Sequence, residues 1–545
     1  MRKFIALFAG SLISGCLLAG GLVTNTNQSA VWVRLPSRNA SVGIDAAYYN
    51  PAGLMKLNNG FHVSLSNQTI FQSREVDNTY SGPGGLFGLN QHTYKGTVTA
   101  PFFPSVYAVY KMEKIALSLG FIPVGGGGGA TYKNGLPSFE MSASDLVPSL
   151  AASQGASAYS LDVYFKGSST FLGYQGAISY KINDLISVAA GIRYVTAKNT
   201  YEGYLKDIQV ELPGGWTRAD QIMAGIASLA ETGGNNLQPI INLGAGGYTA
   251  DQLVAAEQMT EEQRDAIVNG LSGLGVPNAA SLTIEQSQAA FYASQAKYTA
   301  TATLLHDQEA DATQTGSGIT PFFSVNISPS DNLNIAIKYE MATKLELVNE
   351  TKKDFITGFT ALGVPITEFP DGEKVRNDMP AMLTLGVNTS VSPNLKIAAG
   401  LDYFFDKTAD YGHTVDADLD PTTPPTHISN SDIIGSNGMS VHGGLEYNIS
   451  DKLLVSGGYI WANQGVNSNY QSDLTYGLAT STFGAGGAYA ITDNIRLNLG
   501  ASYTLYMDDT KVINHIFSAT GSNITANETY KKSTFLFGIG LDMSF

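Results

Sequence analysis

The chain has 545 residues, 14% of them charged and 10% aromatic, with 59 Gly, 28 Tyr and a net charge of −15. The acidic balance lacks the basic footprint that nucleic-acid binding needs, and a single cysteine, Cys16, excludes an intrachain disulfide and a cysteine-rich metal site. Low charge with abundant Gly and Tyr suits a membrane β-barrel better than a soluble enzyme.

Residues 1–20 begin MRKFIALFAGSLISG, two basic residues and then an apolar run ending in small residues. This is the pattern of a secretory signal peptide, too short for a spanning helix. Cleavage is expected between residues 15 and 21; ISGC also resembles a lipobox with Cys16 as the lipidated residue, and both readings stand. No later segment offers ~18 consecutive apolar residues, so no helix is expected to span a membrane. Residues 21–60 are not strand-like. They contain GIDAAYYNPAGLMKL, where Asn50-Pro51 initiates a turn before Ala52 and Gly53. The segment is either a periplasmic tail or a plug in a lumen.

From residue 61 onward, strand patterns dominate. Period-two alternation predicts strands at 61–73, 97–111, 115–134, 160–181, 185–209, 298–328, 332–349, 373–392, 395–408, 432–449, 453–466, 476–491, 494–510 and 525–545. Six tight polar turns, KMEK, KIND, SPSDN, SPN, SDK and TDN, alternate with longer segments. An even strand count with alternating short turns and long loops is the pattern of an outer-membrane barrel with both ends periplasmic. The expected fold is therefore all-β, a 14-stranded antiparallel transmembrane barrel spanning 61–545. One face of the strands carries Lys, Glu, Asn and Gly, which suits a wet lumen. By strand parity, Arg193, Lys338, Arg376 and Arg496 face that lumen, and Lys198 faces out. Arg193, Lys338 and Arg376 are candidate anchors for a carboxylate ligand. The competing reading pairs each with a lumenal acid such as Glu340, Asp378 or Asp402.

The longest loop, 210–297, has no barrel periodicity. Thr217/Asp220, Thr249/Gln252, Thr260/Gln263 and Thr283/Gln286 resemble helix caps, so a helical extracellular insertion is expected. The last strand, TFLFGIGLDMSF, alternates Phe535, Phe537, Ile539, Leu541, Met543 and Phe545 with smaller or polar residues. It resembles the terminal strand by which outer-membrane proteins are recognised by the barrel-assembly machinery.

Enzyme and cofactor signatures fail. The glycine run at 125–129 is not followed by Gly-Lys-Ser/Thr, DADLD at 416–420 lacks the rest of an EF-hand, and the seven histidines show no His-x-x-x-His spacing. No Gly-x-Ser-x-Gly elbow occurs. No metal or cofactor is expected, and the chain is not expected to be an enzyme.

The segments DAAYYNPAGL at 45–54, FIPVGGGGG at 121–129 and DMPAMLTLGV at 378–387, with fourteen strands and a terminal Phe545, give the mature chain a resemblance. It resembles the long-chain fatty-acid and hydrophobic-compound transporter family of the outer membrane (FadL/TodX type). The resemblance implies a monomer whose 21–60 segment is a lumenal hatch fixed by Asn50, Pro51, Ala52 and Gly53. It also implies a third strand kinked at Pro123, Gly125, Gly126, Gly127, Gly128 and Gly129, a lateral gate through which ligand leaves sideways into the membrane. Pro removes a ladder donor and Gly gives no side chain to pack, so both weaken strand pairing there. The expected function is passive uptake of hydrophobic or amphipathic small molecules across a Gram-negative outer membrane, bypassing the lipopolysaccharide layer. The alternatives are a general porin or adhesin, and an outer-membrane lipid hydrolase.

Overall fold

Fourteen antiparallel strands close on themselves into one barrel. The computed structural model describes residues 24–360, 364–411, 413–415, 426–468, 470–517 and 520–545. The leader 1–20 with Cys16 and the acidic run 416–420 lie outside the described residues. The strands are β1 Gly60–Asn78, β2 Thr93–Lys111, β3 Ile115–Tyr132, β4 Ala158–Lys181, β5 Ile186–Leu212, β6 Gln308–Ser330 and β7 Leu333–Glu340. They continue as β8 Met382–Ser390, β9 Leu395–Phe404, β10 Met439–Asn448, β11 Leu453–Asn463, β12 Thr480–Thr492, β13 Ile495–Tyr506 and β14 Asn523–Ser544. Each strand pairs with its chain neighbours, and β1 pairs with β14 from His62↔Ser544 to Asn78↔Glu528. Closure leaves no sheet edge exposed, which a wall in hydrocarbon requires.

The strand pattern follows the period-two rule. On β14, Phe535, Phe537 and Ile539 are exposed while Leu536, Gly538 and Gly540 face inward. The same alternation gives an outward belt on other strands, including Leu119, Ile192, Phe323 and Tyr503. Among the described residues no helix is long and apolar enough to cross a membrane.

Several strand boundaries differ from the sequence pattern for local reasons. The pattern over 332–349 is two strands, β7 and a short strand Glu346–Lys353, because residues 341–345 leave the ladder. The facing strand is likewise split at Asn377–Ala381, where Pro380 has no donor to give. A reciprocal bond pair between Thr343 and Met379, both at 2.9 Å, bridges the two breaks. β6 begins at Gln308 rather than 298, because the preceding helix continues to Leu304.

The insertion between β5 and β6 is a helical unit with its own core. β5 runs to Leu212 and turns back through Gly215–Arg218, so the helices occupy 219–304 rather than 210–297. They are Ala219–Ile240, Ala250–Ala255, Glu261–Gly273 and Ile284–Leu304. Thr249, Thr260 and Thr283 each close a capping box with the Gln three residues on. Thr217 does not: it lies in the short strand, and Arg218 is the N-cap, without a side-chain cap bond. Arg218 instead bonds Asp207, Asp220 and Asp307, pinning the base of the insertion to the top of the wall. Ala230, Leu237, Leu271 and Phe291 form a core separate from that of the barrel. Replacing residues 229–297 with a short glycine-rich turn, keeping both helix bases, is therefore expected to leave a closed barrel. The check is heat-modifiable electrophoretic mobility: loss of the folded band would show that the insertion helps to hold the wall.

Candidate functional site

Residues 24–59 are almost wholly buried and lie against inward-facing residues of the wall. Ser29 caps the short helix Ala30–Arg34 by accepting from Trp32 N at 3.0 Å, and further turns at 46–49 and 51–56 fold the segment into a plug. Its turns satisfy only part of its backbone, and the wall supplies partners for other groups. Gln175 Nε2 of β4 donates to Ala47 O at 2.7 Å, Ser179 Oγ to Pro51 O at 2.7 Å, and Ser187 Oγ of β5 to Ala52 O at 2.8 Å. Asn388 Nδ2 of β8 donates to Ala40 O at 2.8 Å. Asn50 Nδ2 reaches Asn326 Oδ1 of β6 at 2.7 Å and Ser41 O at 3.1 Å. Ala52 N donates to Ser324 Oγ at 2.9 Å. Gly53 is required by space: a Cβ there would lie 2.4 Å from Asn50 Nδ2 and 2.5 Å from Ser41 O.

Glycines make the opposite side of the wall shallow enough for the plug. At Gly486 of β12 and Gly500 of β13 a Cβ would come within 2.8 and 2.7 Å of Arg34. At Gly538 of β14 it would meet Val33 at 2.9 Å. The Lys, Glu, Asn and Gly face is therefore a packed and hydrogen-bonded contact over much of its area, rather than the open wet lumen that its polarity suggests.

The lumenal cations are engaged. Arg193 makes two bonds to Glu340, at 2.7 and 2.9 Å, and Lys338 Nζ meets the same carboxylate at 2.8 Å. Both cations are 2% exposed. Lys338 also donates to Tyr48 O at 2.8 Å, and both cations sit by the Tyr48 ring, at 4.3 and 5.1 Å from its centroid. This cluster ties β5 and β7 to the plug. Arg376 lies away from it, between β7 and β8, paired with Asp378 at 2.6 Å; Asp378 in turn accepts from Leu345 N at 2.9 Å. Asp402 accepts from Asn39 at 2.9 Å and from Ser440 at 3.0 Å, and contacts His442 at 3.1 Å. Arg496 is exposed near the turn after β12, and Lys198 is exposed on the outward parity.

The wall is interrupted between β2 and β3. The two strands pair at Gly96↔Tyr132, Thr97↔Thr131 and Val98↔Ala130, and resume only at Val106↔Phe121. Between these rungs, 99–105 and 122–129 have no ladder. β3 stays paired to β4, with register shifts at Pro123/Gly125 and Gly126/Gly128. Gly126 has φ +74°, and a Cβ there would lie 2.2 Å from Ser169 O, so only glycine fits this bend. The start of the plug supplies replacement partners for β3. Asn25 N donates to Val124 O and Gln28 Nε2 to Pro123 O, both at 2.8 Å, and Thr24 bridges Gly125.

Two determinants on the facing strand escape a reading centred on β3. Pro101 and Pro104 lie in the part of β2 that has no ladder to β3, and neither has an N–H to donate. The signal was present in TAPFFPS. Phe102 between them is 81% exposed on the outward side, whereas Phe103 is buried beside Ile70, Ile122 and Val124. Below the interruption, Leu117, Leu119, Ile178 and Ile192 line an outward apolar depression of about 760 Å³.

The loop after β3 folds into two helices, Pro137–Ser144 and Leu146–Gln154, whose Phe139, Met141 and Val147 join a buried apolar cluster with Tyr132, Phe165 and Tyr201. Ser138 N donates to Asp473 Oδ2 at 2.7 Å, and burial pushes that carboxyl up. Burial likewise pushes Asp406, in the loop after β9, up to about 6. Among the described residues no three His, Cys, Asp or Glu side chains converge as a metal site.

The architecture is similar to that of solved outer-membrane transporters. A FadL homologue from Pseudomonas aeruginosa matches with a TM-score of 0.59 at 13% identity, over 97% of this chain and 100% of that one. The toluene transporter TodX from Pseudomonas putida matches with a TM-score of 0.50 at 12% identity, over 98% of this chain and 100% of that one. No family profile matches the chain, and neither does any curated protein sequence. At these identities the likeness is one of fold: a closed 14-strand barrel of the FadL/TodX type.

Glu340 is the single carboxylate between two buried cations, so E340Q leaves both without a full counter-charge. Breaking a buried pair by removing one partner costs about 3–5 kcal/mol. E340Q is expected to lower the melting temperature of the purified barrel and to raise ion conductance in planar bilayers as the plug loosens. Wild-type values in both measurements would show that the cluster does not hold the plug.

Proposed function

We propose that this chain is an outer-membrane channel for passive uptake of hydrophobic small molecules, and that its ligands leave sideways between β2 and β3. The observation that carries the reading is the ladder gap facing a filled lumen. A plug bonded to the wall leaves no straight aqueous path, which disfavours a general porin. An unpaired backbone group facing lipid costs several kcal/mol. The interruption persists because residues 24–28 take over the bonds of β3 on its inner side, while prolines remove donors from β2. Ile70, Phe103, Ile122 and Val124 give the gap an apolar inner lining packed against the plug, and the outward depression below it is apolar. The fold likeness to the toluene transporter TodX supports a hydrophobic cargo, and the mechanism needs no energy source within the barrel.

Closing the gap tests the assignment. Thr99 and Gly129 form the next rung that β2 and β3 would make beyond Val98↔Ala130. The double variant Thr99→Cys/Gly129→Cys is expected to zip the gap when oxidised. Uptake of a hydrophobic probe by cells should fall at least several-fold on oxidation and recover on reduction. A cross-linked, surface-assembled protein that transports at the reduced rate would remove the lateral exit from consideration.

A further inference from the structure

We infer that the outer wall of the barrel carries a fixed seat for one anionic phospholipid of the periplasmic leaflet. Its acyl chain lies in the outward depression below the β2–β3 gap, and its headgroup meets Lys114 and Lys181. The inference needs only the barrel and its membrane, so its failure leaves the transport reading untouched.

Two rungs of the ladder shape the depression. The upper rung runs Ala108↔Leu119↔Gly176↔Ile192↔Pro321, from β2 across to β6. The lower rung runs Tyr110↔Leu117↔Ile178↔Ala190↔Phe323. Small residues interrupt both: Gly176 stands between Leu119 and Ile192, and Ala190 between Ile178 and Phe323. Gly176 on β4 and Ala190 on β5 are diagonal neighbours, so their hollows join. The resulting space, about 760 Å³ and apolar, falls within the ~300–1,000 Å³ typical of small-molecule sites.

The chain itself does not require Gly176 to be small. Gly486, Gly500 and Gly538 on the inward face are held to glycine by the plug. A Cβ at Gly176 would make only ordinary contacts, 3.6 Å from Leu119 Cδ2 and 3.9 Å from Ser118 O. Nor is its φ positive. A glycine inside a strand costs backbone entropy and forgoes the strand preference of a larger residue. A hollow kept at that cost on the lipid-facing surface points to something outside the chain that fills it.

Level and charge say what the filler is. Short turns lie at the periplasmic end of an outer-membrane barrel. Leu117 is three residues from Lys114, and Ile178 three from Lys181, about 10 Å along each strand. The depression therefore opens in the periplasmic leaflet, just above headgroup level, where the exposed Tyr110 and Tyr180 belong to the aromatic girdle. Of the six tight turns, KMEK alone is net positive, and it joins β2 to β3 directly beneath the depression. Lys181 opens the neighbouring turn KIND, and its N donates to Lys114 O at 2.9 Å, which sets the two lysines side by side. Lys111 is occupied, donating to Asn59 Oδ1 at 3.0 Å. Lys114 is exposed, and Lys181 has only Asp184, whose side chain is 98% exposed, at 2.6 Å. Such surface pairs are weak, and Glu113, the other acid of these turns, is exposed to water. Two available ammonium groups below an apolar hollow match a phosphodiester below an acyl chain. A zwitterionic head would bring its own ammonium to the lysines, so a head of net negative charge is favoured.

Dioleoylphosphatidylglycerol and dioleoylphosphatidylethanolamine share both chains and differ in head charge. Native mass spectrometry of the detergent-purified full-length barrel, titrated with each, reads the affinity for the first lipid bound. The wild type is expected to hold phosphatidylglycerol about 5-fold or more tightly, the effect of one lysine at a membrane surface. K114Q/K181Q should bring the ratio close to one. G176F fills the hollow from the outside and should weaken phosphatidylglycerol binding several-fold. Folding of each variant is checked by heat-modifiable mobility, and A190F, in the adjoining hollow, replaces G176F if the latter does not assemble. Equal binding of both lipids by the wild type overturns the assignment. So does a preference kept in K114Q/K181Q, or undiminished binding by the variant with the filled hollow. A wild type that is dimeric in the spectrum and monomeric as G176F would give the depression to a second copy of the chain, and overturns it as well.

Discussion

An irregular segment buried in a barrel must find a partner for every backbone group that helix or sheet would otherwise satisfy, and most of this wall follows from that constraint. Local turn bonds, such as Tyr49 N to Asp45 O and Asn50 N to Ala46 O, satisfy only part of the 24–59 backbone. Gln175, Ser179, Ser187, Asn326, Lys338 and Asn388 therefore project inward to meet its carbonyls and amides. Where the plug has bulk rather than free polar groups, the wall gives way instead. Gly486, Gly500 and Gly538 stand where side chains would strike Val33 or Arg34. Polar residues and glycines on the inward face are two answers to the same requirement.

The gap between β2 and β3 is an extension of the same chemistry. A strand can leave its neighbour only if other groups take its bonds, and the plug's first residues, Thr24, Asn25 and Gln28, do so for β3. The facing strand is treated differently: Pro101 and Pro104 have no donors to lose. On the β1 side, Asn67 and Thr69 both donate to Pro101 O at 3.1 Å, and Phe103 N donates to Asn67 Oδ1 at 3.0 Å. The interruption is thus bounded by satisfied groups rather than frayed ends. Residues 24–28 thus bond to the strand beside which the ladder is interrupted.

Much of this was legible in the chain, and the failures have definable causes. Alternation of residue character reads directly as wall, because one face meets an apolar surrounding and the other does not; β14 is the plainest case. Gln three residues after Thr249, Thr260 and Thr283 marked helices because a capping box is local. Pro123 and the glycines after it marked the bend for the same reason. Long-range pairing is not local. Nothing in the neighbourhood of Arg193 or Lys338 says that one carboxylate, Glu340, serves both. The first strand reaches farther than its pattern suggests: the polar run Ser73-Arg74-Glu75 looks like its end, yet it continues to Asn78. The polarity of the inward face pointed to water, because composition alone does not distinguish a solvated side chain from one bonded to a plug.

Part of the plug finds its partners far along the chain. Arg34 finds its carboxylate at Glu446, 412 residues later, and Val33 packs on Gly538 of the final strand. Val33 and Arg34 therefore have their seat completed only when the last strands are in place. Until those strands are in place, Val33 and Arg34 lack the seat that they occupy in the folded chain. A short, small-residue, weakly charged segment is suited to that wait, since it offers little surface on which a premature structure could set.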